Sequence, residues 1–487
     1  MTLIDSPEAP SMVRVPPRIS IDDVLAATRG RLLEPTTVTG VRGASVDSRF
    51  VTAGSCFVAL RGERDDGHRH VADALRAGAA AALVARPVEV PPDLDAALIV
   101  VPDPLIALQE LAHWWRSRQP AVAVGITGST GKTLAKEIVA DVLARTRRVL
   151  RNTGNLNSET GLPMTLLRLG PSDEIAVLEM SMYTEGEIAR LADIAQPEVG
   201  VVLTVRPMHL ERAGSIEAIS RAKSELPRAL PAGGLAVLNA DDPRVATMGK
   251  ITRAEVRTFG LDPGATVRGS ELEPLGLAGT AFTVTAPWGS RRMTIRMPGR
   301  HLVPLALVAV AVAERFDVPL DEVEAALAAG SRAEHRMEPS ETASGATMID
   351  DSYNAAPWSV TAALEFLRET PLPPAGRRLA VLGDMLELGA EEERLHGEVG
   401  QLSASVLDGL VAVGERGRWI AAAARVAGLS TVSEASDAEQ AAEAVERDLA
   451  PRPGDLLLVK ASRGIALDRT VDLLRAPASP SRRELAP

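Results

Sequence analysis

Cysteine is all but missing from these 487 residues. The single Cys56 excludes an internal disulfide and any cysteine-based zinc site. Lysine is nearly as scarce. Of 53 basic residues, only Lys132, Lys136, Lys223, Lys250 and Lys460 are lysine. The chain uses arginine almost wherever a positive charge suffices, so each lysine is a candidate for chemistry arginine cannot do, such as acting as a neutral amine. Asparagine occurs at Asn152, Asn155, Asn157, Asn239 and Asn354, three of them within six residues. Long apolar runs are absent. The longest, Leu302–Ala313, has twelve residues, short of the roughly 20 that a membrane span needs. The first twenty residues hold four prolines and no apolar signal core, so no secretory signal is expected and the cytoplasm is the expected location. A positive excess is missing too. The 53 Lys+Arg against 64 Asp+Glu leave a net charge of −11, a poor match for a nucleic-acid partner.

What remains is ordinary globular composition, 46% hydrophobic and 24% charged. The length suggests about three domains. Residues 1–20 read as a flexible lead and 21–108 as a first domain of short apolar runs. Residues 109–331 follow as a central domain, 332–475 as a third, and 476–487 as a disordered Pro/Ser/Arg-rich tail. In the central domain, apolar strands are expected at 121–127, 148–152, 174–180, 199–205 and 235–239. Helices fall between them at 132–145, 161–169, 186–195 and 216–229. That alternation means an α/β fold with a doubly wound parallel sheet. Residues 262–298 read as an antiparallel insert. The third domain alternates again, with strands at 347–351, 378–383, 409–413 and 455–460 and helices at 358–368, 392–403 and 438–449.

Gly125-Ile-Thr-Gly128-Ser129-Thr130-Gly131-Lys132-Thr133 lies between an apolar strand and a helix, the setting a phosphate-binding loop requires. Glycines let backbone N–H groups turn onto phosphate oxygens, and the helix N-terminus adds its positive dipole end. Lys132 can reach the β and γ phosphates, and the Thr133 hydroxyl can ligate Mg²⁺. The first glycine of the common pattern is displaced, with Ile126 in its place. Glu179 ends an apolar strand, where a carboxylate faces the ligand crevice of a parallel sheet and could hold Mg²⁺; a solvated edge residue is the plain alternative. His209 follows the next strand. A lone histidine is more often structural, and Mg²⁺ prefers oxygen. Lys223, fourteen residues further on in a helix, could be a surface lysine, but this chain writes surface cations as arginine.

Together these residues resemble the Mur ligases of peptidoglycan synthesis, over about residues 30–475, and within them the type that adds a D-alanyl dipeptide. In the first domain Asp47-Ser48-Arg49, Cys56-Phe-Val-Ala-Leu60 and Asp66-Gly67-His68 resemble segments that cradle a UDP-sugar. Asn155-Leu-Asn157 resembles a substrate-binding turn. Glu179-Met180, His209-Leu210, Ala222-Lys223 and Leu238–Asp242 follow the family pattern. So do His335-Arg336, Asp350-Asp351-Ser352-Tyr353-Asn354, Gly383–Gly389, His396 and Lys460-Ala-Ser462-Arg463. The resemblance implies a three-domain architecture with a central phosphate-loop domain and a Rossmann-like C-terminal domain. The chain departs from the family at Leu134, Thr204, Arg206, Leu302, Leu305, Ala356 and Ala461.

The resemblance implies an ATP-dependent, ADP-forming amide ligase. It would add D-alanyl-D-alanine to UDP-N-acetylmuramoyl-tripeptide through an acyl phosphate, serving cell-wall synthesis and, through it, cell shape and division. Lys132, His209, Lys223 and Arg336 would be catalytic. Gly128–Thr133, Arg336, Asp351 and Tyr353 would bind ATP. Thr133 and Glu179 would hold one Mg²⁺, and His209 with a carbamylated Lys223 a second, Mn²⁺ being able to substitute. Asp47, Ser48, Arg49, Gly67, His68, Asn155, Asn157, Asn354, Lys460, Ser462 and Arg463 would bind the substrates. A monomer is expected. A related ligase with another amine acceptor, such as a polyglutamate tail, and a non-catalytic nucleotide-binding homologue are the alternatives.

Overall fold

The structure, a computed structural model, describes residues 15–62, 65–91, 94–207, 212 and 214–475. The expected catalytic and metal residue His209 and the tail 476–487 lie outside them. The described residues gather into two compact units. One takes everything up to Gly125 with Arg147–Ser181 and Glu187–Glu198; the other takes Ile126–Thr146, Met182–Gly186 and Val199 onward.

In the first unit a five-stranded sheet has the order Arg31–Leu32, Ala97–Val100, Ala81–Val84, Cys56–Val58, Ala44–Ser45. All its neighbours are parallel except the Arg31–Leu32 edge. Phe57, Val71, Ala74, Leu75 and Leu98 fill one face of it. Of the lead expected over residues 1–20, residues 1–14 lie outside the described residues, and its last three residues form a strand. Arg18–Ser20 pairs antiparallel with Gly40–Arg42, because Ile19 is buried and Ser20 caps helix Ile21–Thr28 by accepting the Asp23 N–H.

The domain boundary expected at residue 108 falls inside helix Pro104–Arg116. That helix continues because its far half is anchored to later chain. Gln109 donates to Glu159 O at 3.1 Å, Trp115 to Leu169 O at 2.8 Å, and Arg116 to Ala195 O at 2.8 Å. Strand Val149–Arg151 pairs in parallel with Ile175–Glu179.

In the second unit Val199–Val202, Leu235–Asn239 and Glu255–Gly260 run parallel. A meander of Val267–Pro274, Thr280–Ala286 and Gly289–Ile295 extends them. The expected antiparallel insert is therefore antiparallel, but it widens the parallel sheet and is not separate from it. A second sheet follows in the order Glu338–Glu341, Thr347–Asp350, Leu456–Lys460, Arg378–Gly383, Gly409–Val413, Val432–Ala435. Only the Glu338–Glu341 edge is antiparallel. Apolar cores cover both of its faces, as a parallel sheet requires. Gly383, at the end of its central strand, has no room for a side chain: a Cβ there would lie 2.7 Å from the Ala461 methyl. Among the described residues, no helix is long and apolar enough to cross a membrane.

Candidate active site

Strand Val122–Thr127 delivers the chain into the phosphate loop, and helix Lys132–Leu143 leaves it. Two glycines make the turn. A Cβ on Gly128 would meet Leu203 Cβ at 2.8 Å, and Gly131 sits at φ +79° as the residue before the helix, a conformation that costs glycine little. The loop is braced by the segment after strand Val199–Val202. Ser129 N–H donates to Thr204 O at 2.8 Å, and the Ser129 hydroxyl bonds both the N–H (2.8 Å) and the carbonyl (3.0 Å) of Arg206. The hydroxyls of Thr130 and Thr204 lie 3.2 Å apart. Of the family departures here, Thr204 brings a hydroxyl to the loop, whereas Arg206 serves it through main-chain groups alone. Asn239 and Asp242 hold that bracing segment in turn, through Leu203 O at 2.7 Å and the Val205 N–H at 2.8 Å. Lys132 Nζ donates to Gly128 O at 2.9 Å and Ser129 O at 3.5 Å. Thr133 is part-buried in the first turn of the helix.

Leu305 packs directly on this loop, its Cδ2 lying 3.1 Å from where a Gly131 Cβ would be. Leu302 and Leu305 are both buried, so apolar side chains stand where the family resemblance expects polar ones.

Lys223 lies on helix Ile216–Ala229, only 4% exposed. Burial, and then the positive charge of Lys132, hold its amine well below the usual lysine range. A neutral amine is a nucleophile for CO₂, and the carbamate it forms is an oxygen ligand suited to Mg²⁺. The residue present therefore fits the expected modification.

Glu179 closes its strand, 2% exposed. Its Oε1 accepts from Asn157 Nδ2 at 2.7 Å. Its Oε2 is buried without a hydrogen-bond partner among the described residues. A buried, orphaned carboxylate oxygen is costly unless a cation or donor completes it, which fits a metal ligand. Asn152 was not among the expected site residues, yet it braces this carboxylate. Its Oδ1 accepts the Glu179 N–H at 3.0 Å, and its Nδ2 donates to Glu179 O at 3.2 Å and Leu156 O at 2.8 Å. The cluster of three asparagines was the signal that could have found it. Asn155 is exposed, its carbonyl accepting the Asn157 N–H. Among the described residues, no group of three or more His, Cys, Asp or Glu forms a ready-made metal cage.

In the C-terminal sheet, the loop after Thr347–Asp350 gathers most of the remaining expected residues. Lys460 Nζ, 3% exposed at its side chain, pairs with Asp351 Oδ2 at 2.6 Å and donates to Asn354 O at 2.9 Å. Asp351 Oδ1 accepts the Met337 N–H at 3.3 Å. Arg336 lies over the Tyr353 ring at 4.2 Å, and Arg463 lies 5.6 Å from the same ring. Ser462 is turned inward. It is buried, its hydroxyl donates to Ala355 O at 3.2 Å, and it accepts the Leu386 N–H at 2.9 Å. His396 is likewise committed, accepting the Met385 N–H at 2.9 Å and bonding Glu392 O at 2.6 Å.

In the first unit the Arg49 side chain and N–H bond Asp47, holding its carboxyl down to about 2. Ser48 is part-buried and Arg49 exposed. Gly67 approaches Leu60 so closely that a Cβ would lie 2.7 Å from Leu60 O. His68 is buried between Asp66 Oδ1 (2.7 Å) and the Ala85 N–H (2.9 Å). The Ala85 N–H must donate, so Nε2 accepts and Nδ1 carries the proton.

Three sequence profiles match. "Mur ligase family, catalytic domain" covers residues 40–116, "Mur ligase middle domain" 126–313, and "Mur ligase, glutamate ligase domain" 335–463. UDP-N-acetylmuramoyl-tripeptide–D-alanyl-D-alanine ligase of Escherichia coli K12 is 35% identical over 434 residues, 88% of this chain and 93% of its own. The ligase of the same name from Mycobacterium tuberculosis H37Rv is 38% identical over 468 residues, 88% of this chain and 91% of its own. Among solved structures, MurF ligase from Thermotoga maritima in complex with ADP superposes with a TM-score of 0.76 at 29% identity, covering 89% of this chain and 97% of that one. With three profiles in order along its length and relatives matched nearly end to end, the chain belongs to the Mur ligase family.

Proposed function

We propose that this chain is an ATP-dependent ligase that joins D-alanyl-D-alanine to UDP-N-acetylmuramoyl-tripeptide in peptidoglycan precursor synthesis, working as a monomer in the cytoplasm. The observation that carries the reading is the phosphate loop beside a buried lysine whose amine is held well below the usual lysine range, in a chain whose near full-length relatives bear that ligase's name.

The chemistry follows from the electrophile. A carboxylate resists attack by an amine, so its oxygen first takes the γ-phosphoryl group of ATP and ADP leaves. The dipeptide amine then attacks the acyl phosphate carbon, phosphate departs, and the amine gives up a proton. Negative charge crowds the first step, so catalysis is chiefly positioning and electrostatic stabilisation. Loop N–H groups and Lys132 bind the β and γ phosphates, and Arg336 adds a second cation. Thr133 and Glu179 would hold one Mg²⁺, and carbamylated Lys223 with His209 a second. When bound, these ions neutralise phosphate charge. Asp351 and Tyr353 would serve the nucleoside. Asp47, Ser48, Arg49, Gly67 and His68 would take the UDP-sugar, Asn155 and Asn157 its peptide, and Asn354, Lys460 and Arg463 the incoming dipeptide, with the buried Ser462 holding that segment in place.

The test is phosphate release from ATP with UDP-N-acetylmuramoyl-tripeptide, with and without D-alanyl-D-alanine, followed by product mass. Phosphate release that needs both substrates, with a mass gain of one dipeptide, is expected. Turnover only with other amines would refute the reading in favour of a ligase with a different acceptor.

A further inference from the structure

Arg336 has an unusual seat. The residues on either side of it, His335 and Met337, are non-glycine residues at φ +57° and +51°, a left-handed conformation that surrounding structure must enforce. The enforcement is visible. His335 Nδ1 lies 2.8 Å from Asp350 Oδ2, His335 O accepts the Tyr353 N–H at 3.1 Å, and the Met337 N–H donates to Asp351 Oδ1 at 3.3 Å. The arch is thus tied to the loop that carries Tyr353, and it lays Arg336 on the Tyr353 ring at 4.2 Å. Arg463 comes from the far end of the chain, after strand Leu456–Lys460, and reaches the same ring at 5.6 Å. Two cations gathered at one ring repel each other. The negative ring face offsets part of that, and a bound anion would offset more. Among the described residues Arg336 has no carboxylate partner within ion-pair distance, and Arg463 has only Asp468, at 3.3 Å.

We propose that Tyr353 is a positioning residue, the shared platform that holds Arg336 and Arg463 as one anion clamp. Arg336 answers to the transferring phosphoryl group, and Arg463 to the C-terminal carboxylate of the incoming dipeptide. A guanidinium against an aromatic ring keeps its planar N–H fork available for a carboxylate or phosphate, so the ring supplies orientation and the arginines supply charge. This rests on the ligase reading above. It adds that recognition of the dipeptide carboxylate depends on a residue that need not touch it.

The experiment compares kcat and KM for D-alanyl-D-alanine and for D-alanyl-D-alaninamide, which lacks the carboxylate charge, in the parent chain, Tyr353→Leu, Tyr353→Phe and Arg463→Lys. The parent is expected to favour the free carboxylate by at least about tenfold. Tyr353→Leu should lose about tenfold in kcat and most of that preference, and Tyr353→Phe should recover both to within about threefold. Arg463→Lys keeps the charge without the planar fork, and it should lose the preference while folding normally, which keeps the test decisive if Tyr353→Leu is unstable. A Tyr353→Leu chain that keeps the parental preference overturns the proposal, as does a Tyr353→Phe chain as impaired as Tyr353→Leu. A parent that joins both dipeptides equally well refutes the clamp alone. A parent that joins neither refutes the ligase reading and the clamp with it.

Discussion

Asn157 donates its side-chain N–H to Glu179 Oε1 at 2.7 Å, and that bond decides which carboxylate oxygen is left over. The bonded oxygen is fixed, and the orphan Oε2 inherits a defined direction from it. Partners that orient a metal ligand are worth about 10–100-fold in metal affinity. Asn157→Ala is therefore expected to raise the Mg²⁺ concentration for half-maximal rate by about tenfold or more. Glu179→Gln should lose more, because it replaces the proposed ligand itself. A Mg²⁺ titration of the phosphate-release rate checks both, and an unchanged half-saturation in Asn157→Ala would contradict the orienting role.

Lys223 is buried, and its amine is held well below the usual range. The unfolded chain holds a proton there more tightly than the folded chain, so this group makes stability rise with pH until the unfolded lysine itself deprotonates, near 10.5. Lys223→Met removes that penalty. It should melt a few degrees higher than the parent at neutral pH without bicarbonate, about 1–2 kcal/mol of stability, and should lose most activity. Lys223→Ala should be equally inactive, with a small carboxylic acid restoring part of the rate. Thermal melts and a rescue assay read the two effects separately.

Gly131 combines φ +79° with a Leu305 methyl 3.1 Å from the would-be Cβ. Gly131→Ala meets backbone strain and a packed neighbour together, and it should weaken ADP binding by about tenfold, the scale of 1–2 kcal/mol of strain. The double change Gly131→Ala with Leu305→Ala relieves the contact and leaves the strain, so it should recover only part of the loss. Isothermal titration with ADP distinguishes full, partial and no recovery.

His301 is pushed down to about 4 by burial, and then by the charges of Lys460 and Arg300. Below about 6.5, the ordinary histidine value, the unfolded chain takes a proton that the folded chain declines. Stability from this group therefore falls as the pH drops from 6.5 toward 4 and levels off below that. His301→Asn should flatten this part of the curve. Melting temperatures of both chains from pH 7 to pH 4 test it, and parallel curves would count against the assignment.

The parallel strands of the central region were legible because strands buried on both faces read as unbroken apolar runs, as in Ile175–Glu179 and Leu235–Asn239. Glu255–Gly260 was missed because its apolar pattern is broken by Arg257. The fold accommodates that guanidinium by pairing it with Glu255 and Glu314 and with Ala311 O. Helix Gly417–Val426 begins on a glycine, which reads as a stop, and it too was missed. In the site, the glycines and lysines were legible because few other residues can do their work. The bracing of Ser129 by Arg206 was not, since it links residues far apart in sequence through main-chain groups of Arg206 that carry no side-chain signature. Ser462 shows the converse: a polar residue in a functional segment whose hydroxyl is taken up by the fold.

The Ala461 methyl fills the space that a side chain at Gly383 would need. The two positions are therefore linked. While Ala461 stands, a side chain at 383 overlaps its methyl; Ala461→Gly would remove that overlap and leave Ile465 Cγ2, 3.3 Å away, as the remaining tight neighbour. A single methyl just past the end of one strand thus decides what the neighbouring strand end can carry.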